Sequence, residues 1–141
     1  MNLSDYFPRV EAAAGWLKQQ VQVAPEMTVV LSGGLDAFTD ELTDKVEIEV
    51  SSIPHFPDSQ VEGHAGILVF GKYAGKTLAV MCGRQHLYEG HHPSLLVFPH
   101  FVLSQLGSKA MILTNAVGGI RHDLDPGDVV LCTDHINMMG V

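Results

Sequence analysis

Basic residues are scarce in this chain. Eight lysines and arginines stand against sixteen aspartates and glutamates in 141 residues, a formal charge of -8. That balance argues against a nucleic-acid partner, whose phosphates need a basic surface to neutralise them. Long apolar runs are missing too: none approaches the roughly 18 residues that a membrane-crossing helix needs. The N-terminus has no basic, then apolar, then small-residue order of a secretory signal, so the sequence reads as cytoplasmic and not membrane-bound. Cysteine is limited to Cys82 and Cys132, which form neither a CxxC pair nor a short secreted framework. Both follow apolar, strand-like runs and are expected as buried free thiols. Repeats and low-complexity segments are absent.

What remains is a chain with 46% apolar residues, enough for one hydrophobic core and hardly two. A single domain over 1–141 is the expectation. Val10, Ala13, Ala14, Leu17 and Val21 recur at helical spacing after Ser4-Asp5, which predicts an amphipathic helix from Tyr6 to Gln22, ended by Pro25. Met27 to Leu31 is a β-branched run flowing into Ser32-Gly33-Gly34, the order of a strand, a glycine turn and a short helix. Lys45 to Val50 alternates as a half-exposed strand, and Ile53 to Pro57 reads as an extended loop.

Ile67 to Phe70 and Thr77 to Met81 read as a hairpin joined through Gly71 to Lys76. Leu95, Leu96, Val102, Leu103 and Leu106 predict a helix stopping at Gly107, with Pro99 tolerated only in a first turn or at a kink. Ala110 to Thr114 and Val129 to Cys132 are the last expected strands, separated by the turn signal Asp125-Pro126-Gly127-Asp128. The order is mixed α/β, a hairpin among crossover units.

Gly83-Arg84-Gln85-His86-Leu87-Tyr88-Glu89-Gly90 carries the chemistry: one short loop holds a guanidinium, an imidazole, a phenol and a carboxylate. Thr114-Asn115-Ala116-Val117-Gly118-Gly119 offers backbone N–H groups with little side chain in the way. Together they suit an oxyanion. A metal reading of His86, His91 and His92 fails on spacing, since no zinc pattern matches and Pro93 interrupts any helical face. His55, His100, His122 and His135 are taken as structural or solvent-facing.

Five strings in order, Val61-x-Gly63-His64-Ala65-Gly66, the octapeptide, Thr114 to Gly119, Pro126-Gly127-Asp128 and Asp134-His135-Ile136-Asn137, resemble the trimeric purine nucleoside phosphorylase family. The similarity runs from Val29 to the end of the chain. It implies an α/β fold with a mixed, twisted central sheet flanked by helices, of the phosphorylase/hydrolase-like type, here as an N-terminal half cut short after Val141. It implies phosphorolysis of purine nucleosides in purine salvage, with inorganic phosphate as co-substrate, no metal or organic cofactor, and a homotrimer when complete. The matching positions assign phosphate contacts to Gly33, His64, Arg84, Gln85, His86 and Ala116, ribose to Tyr88, and the purine to Val117 and Gly118. His86 and Glu89 become the catalytic pair, with Glu89 orienting His86 or the loop.

The chain departs from the family at its glycine loop, where Gly-Ser-Gly-Leu-Gly is replaced by Ser32-Gly33-Gly34-Leu35-Asp36. Gly33 stands at the place of the phosphate serine and offers only its backbone. Asp36 replaces a glycine; a carboxylate about 5 Å from phosphate repels it by roughly 3 kcal/mol per unit charge at an effective dielectric near 20. A non-catalytic remnant that binds phosphate or nucleoside, or associates with other subunits, is therefore the alternative. A dinucleotide-binding domain lacks its G-x-G-x-x-G after the first strand.

Overall fold

The computed structural model describes residues 3–57 and 66–140. Helix α1 (Leu3–Gln20) opens the chain, followed by β1 (Met27–Leu31), β2 (Thr43–Glu49), β3 (Ile67–Tyr73), β4 (Lys76–Cys82), α2 (Pro93–Leu96), α3 (Phe98–Leu106) and β5 (Ala110–Leu113). The strands form one sheet in the order β2-β3-β4-β1-β5. β1 runs parallel to β4 and to β5, whereas β2, β3 and β4 are antiparallel in turn. The sheet is mixed, as expected.

Helix α1 starts three residues before the expected Tyr6 and ends two before Gln22. Ser4 and Asp5 lie inside its first turn instead of capping it, where the Asp5 carboxylate complements the helix dipole. Tyr6, Val10, Ala13, Ala14 and Leu17 form its buried stripe. The stripe packs with Phe98, Val102, Leu103 and Leu106 of α3 over one face of the sheet, against Val30, Leu68, Phe70, Ala79 and Met81. The alternate residues Val29, Leu31, Val69, Leu78, Val80 and Cys82 face the other side, where Leu42 and Phe38 provide the cover.

Turn chemistry sets the joints. The hairpin strands extend beyond the expected Phe70 and Thr77, leaving Ala74 and Gly75 as a two-residue turn with φ of 47° and 77°. Both residues at positive φ is the turn geometry that matches strand twist. Pro99 sits in the first turn of α3, where its missing N–H costs nothing, and Gly107 ends that helix at φ 131°. The 53–57 stretch is less extended than expected: a 3-10 turn at Val50–Ser52 leads into it, and His55 adopts φ 64°.

The expected strand over Val129 to Cys132 is absent, and 114–140 contains no helix or strand. Asp128 N–H bonds Asp125 O at 3.1 Å, closing the expected turn with Gly127 at φ 101°. A strand needs a neighbour for its backbone groups, and no described strand lies beside this stretch. Cys132 is consequently exposed, against expectation, while Cys82 is buried; both are free thiols. All four residues of β5 are exposed.

Candidate functional site

Because β1, β4 and β5 are parallel, their C-terminal ends reach one edge of the sheet, the position where open α/β sheets gather ligand-binding loops. The Ser32–Leu35 turn follows β1, the octapeptide follows β4, and 114–120 follows β5. Thr114 joins all three. Its N–H and Oγ1 both donate to Val30 O, at 3.0 and 2.9 Å, and Oγ1 accepts the Ser32 N–H at 2.8 Å. Its carbonyl accepts Arg84 Nη1 at 2.9 Å. Thr114 has no assigned role in its sequence motif; a threonine ending a strand is too common a signal to single out.

Arg84 and Gln85 are thus placed by opposite walls. Gln85 Nε2 donates to Pro57 O at 2.9 Å, tying the octapeptide to the 53–57 loop. Those loops, with Pro99 of α3, line a cavity floored by Leu68, Met81 and Cys82. A larger cleft at the opposite end of the sheet, between Gln20, Phe70, Lys72 and Leu78, has no glycine turn or imidazole on its walls.

His86 and Glu89 form a pair across one 3-10 turn, Leu87–Glu89, which His86 precedes as its N-cap. Glu89 Oε1 accepts the His86 backbone N–H at 2.5 Å and lies 3.2 Å from His86 Nδ1. Its second oxygen, Oε2, is buried with no hydrogen bond among the described residues and stands 3.7 Å from His91 Nε2. Burial works to raise the Glu89 carboxyl, but the His86 N–H, the His86 ring and the charge of His91 outweigh it and hold the group below its ordinary value. Glu89 is therefore an anion facing His86 Nδ1. Gly90, at φ 84°, ends the turn.

Tyr88 stacks on His86 with ring centroids 4.7 Å apart and planes 13° from parallel. Tyr88 remains 81% exposed, a large aromatic held open at the rim. Gly33 is exposed, and its backbone N–H and that of Gln85 make no hydrogen bond among the described residues. Asp36 begins a 3-10 turn, Asp36–Glu41, with its side chain exposed. Its carboxylate still reaches Cys82: burial first, then Asp36 and Glu47, push that thiol up to about 11.

Ala116, Val117 and Gly118 lie in an exposed stretch beyond β5, joined to the Arg84 loop through Thr114. His64 and most of the Val61 to Gly66 string lie outside the described residues. His100, taken from sequence as structural or solvent-facing, is half-buried in the first turn of α3, and its Nδ1 is fully buried without a hydrogen bond among the described residues. Burial, then the charge of Arg84, hold its ring below the usual histidine value. Nothing in the sequence signals that placement, which depends on how α3 docks.

A family model described as the phosphorylase superfamily matches residues 28–141. Purine nucleoside phosphorylase 1 of Geobacillus stearothermophilus is 44% identical over 131 residues, covering 93% of this chain and 48% of the relative. The mouse purine nucleoside phosphorylase is 40% identical, with 92% and 45% covered. A solved structure of the Schistosoma mansoni purine nucleoside phosphorylase in complex with inosine superposes with a TM-score of 0.79 at 34% identity, over 86% of this chain and 42% of that one. The chain spans about half the length of the curated relatives it matches. Matched across 28–141 and sharing this sheet, the chain belongs to the phosphorylase superfamily.

Proposed function

We propose that this chain is the phosphate- and ribose-binding part of a purine nucleoside phosphorylase. Such an enzyme uses inorganic phosphate to cleave the N-glycosidic bond of purine ribonucleosides and deoxyribonucleosides, releasing free base and the sugar 1-phosphate in purine salvage. The observation that carries the reading is the convergence of Arg84 and the His86–Glu89 pair on the edge where the Ser32–Leu35 turn ends β1. The likeness to the Schistosoma mansoni enzyme, solved with inosine, supports the choice of substrate class.

In this reading a phosphate oxygen forms a bond to C1′ as the bond from C1′ to the purine nitrogen breaks, and the electron pair departs with the base. Arg84 presents its planar fork to the phosphate, each charge-assisted bond contributing about 1.5–3 kcal/mol. The N–H groups of Gly33, Gln85 and Ala116 add backbone donors, and His64 a second imidazole. With Nδ1 committed to Glu89, ligand contact by His86 runs through Nε2. Tyr88, exposed at the rim and stacked on His86, meets the ribose. Val117 and Gly118 lie along the purine.

Neither metal nor organic cofactor enters these steps. The chain acts as one domain of a cytoplasmic homotrimer. The second reading, a non-catalytic phosphate or nucleoside binder, draws on Asp36, whose charge acts on Cys82 at the end of β4.

The test is incubation of the purified chain with inosine, with and without phosphate, following hypoxanthine release. Phosphate-dependent release supports the first reading. Release that ignores phosphate overturns it, and binding without release assigns the second.

A further inference from the structure

His100 is a titratable group near this edge that the proposed chemistry does not use. It follows Pro99, which walls the cavity together with Gly83, Arg84 and Gln85. Its Nδ1 has no exposed surface and no hydrogen bond among the described residues. A buried acceptor left in this state costs free energy unless a donor reaches it. The cation whose charge acts on the ring is Arg84, whose guanidinium carries five N–H bonds. Among the described residues it makes one hydrogen bond, Nη1 to Thr114 O.

We infer that His100 is a positioning residue for Arg84: its neutral ring presents Nδ1 to the guanidinium and, with Thr114 O, holds the fork toward the bound anion. The inference rests on the phosphate reading for its functional consequence, though not for the pairing itself. Protonation of the ring removes the acceptor and places a second positive charge beside Arg84, which turns the fork away. The coupling is already visible in the ring, held below the usual histidine value by burial and then by Arg84. Linkage is reciprocal, so a proton on His100 acts on Arg84 as strongly as Arg84 acts on that proton.

Arg84, from the loop after β4, is the charged group acting on the ring among the described residues. Helix α1 brings aromatic surface to this end of α3, with Tyr6 and Phe7 against Phe101. The Tyr6 phenol donates to Ser94 O at 2.8 Å and is held neutral, its proton tightened by burial. No carboxylate is among the groups that act on the ring.

Two measurements on the full chain test the inference. An NMR titration of the His100 ring in Arg84→Met shows a midpoint above the wild-type value, and Arg84→Lys, which keeps the charge, stays closer to wild type. An unchanged midpoint in Arg84→Met overturns the pairing. Should Arg84→Met fail to fold, solvent exchange of the Arg84 Nε–H decides: faster in His100→Val than in wild type if the ring holds the fork, equal if it does not.

Sulfate binding, followed by calorimetry, reads the consequence with a probe that stays a dianion throughout. His100→Gln keeps an acceptor without titrating, so it matches wild type within about twofold near pH 8 and binds tighter than wild type at a pH below the ring's wild-type NMR midpoint. Equal affinities at both pH values overturn the positioning role. Absence of sulfate binding in every protein removes the anion reading of the site and the role of the ring in it, while the NMR arm still decides whether His100 and Arg84 pair.

Discussion

Arg84 Nη1 donates to the Thr114 carbonyl at 2.9 Å, although β1 lies between the strands that the two residues follow. The guanidinium therefore reaches across two strand spacings, about 10 Å of sheet edge. It does so over the turn whose Ser32 N–H is held by the same threonine at 2.8 Å. One residue at the end of β5 thus sets both the glycine turn and the cation.

Thr114→Val removes the acceptor of the Ser32 N–H while keeping the side-chain volume. We expect a loss of about 1–3 kcal/mol in urea unfolding, the cost of an unmade part-buried hydrogen bond. Faster exchange of the Ser32 amide should accompany it. Thr114→Ser, which keeps the hydroxyl, should recover most of the loss; a Val variant as stable as wild type refutes the assignment.

Glycine positions at two joints should respond in opposite ways. A Cβ at Gly33 meets nothing within 4 Å. Gly33→Ser should fold as wild type and tighten sulfate binding by roughly tenfold or more, one added hydrogen bond to an anion being worth about 1.5–3 kcal/mol. A Cβ at Gly71 meets Leu42 Cβ at 3.0 Å and Thr43 O at 3.1 Å. Gly71→Ala should lose about 1–3 kcal/mol by overpacking β3 against its neighbour. Calorimetric binding for the first and urea midpoints for the second are the checks.

The two cysteines should react at very different rates. Cys82 is buried and its thiol is pushed up to about 11, so near pH 8 its thiolate is on the order of a hundredfold scarcer than that of a free peptide thiol. Cys132 is exposed. Titration with a thiol reagent should show one fast group per native chain and two after denaturation, with Cys132→Ser abolishing the fast phase.

Acid should destabilise the fold in two separable steps. The His100 ring, held below its ordinary 6.5 by burial and then Arg84, binds its proton less readily in the folded chain than in the unfolded one. Its contribution is complete above that ordinary value and is lost as pH falls through the folded value. Glu89 behaves alike further down. Burial raises it, but the His86 bonds and His91 prevail, so its contribution is present above 4.5 and lost below. Urea midpoints across pH should flatten in the upper window for His100→Val and in the lower window for Glu89→Gln.

Strands β1, β3 and β4 were legible because a buried β-branched run bounded by glycine leaves little choice of structure. Gly107 and Pro99 fixed the ends of α3 by backbone chemistry alone. Val129 to Cys132 misled for the complementary reason: its pattern is that of a strand, but a strand exists only where another can pair with it. Within the site, the His86–Glu89 pair was legible because four residues of one turn cannot separate. The bonds of Thr114 and the placement of His100 were not, since each depends on segments that meet only after packing: Thr114 and Arg84 are 30 residues apart in sequence.

Strand β1 has a kinetic consequence. It pairs with β4 about fifty residues downstream and with β5 about eighty, whereas β3 and β4 meet through two residues. Closing long loops before any contact rewards them is slow, so the hairpin forms early and β1 docks late. The edge carrying Ser32, Arg84 and Thr114 has no partial version: until β1 is in place, the cation and the glycine turn are unconnected. Anion binding during refolding should therefore appear with the final phase and serve as a clock for completion of the sheet.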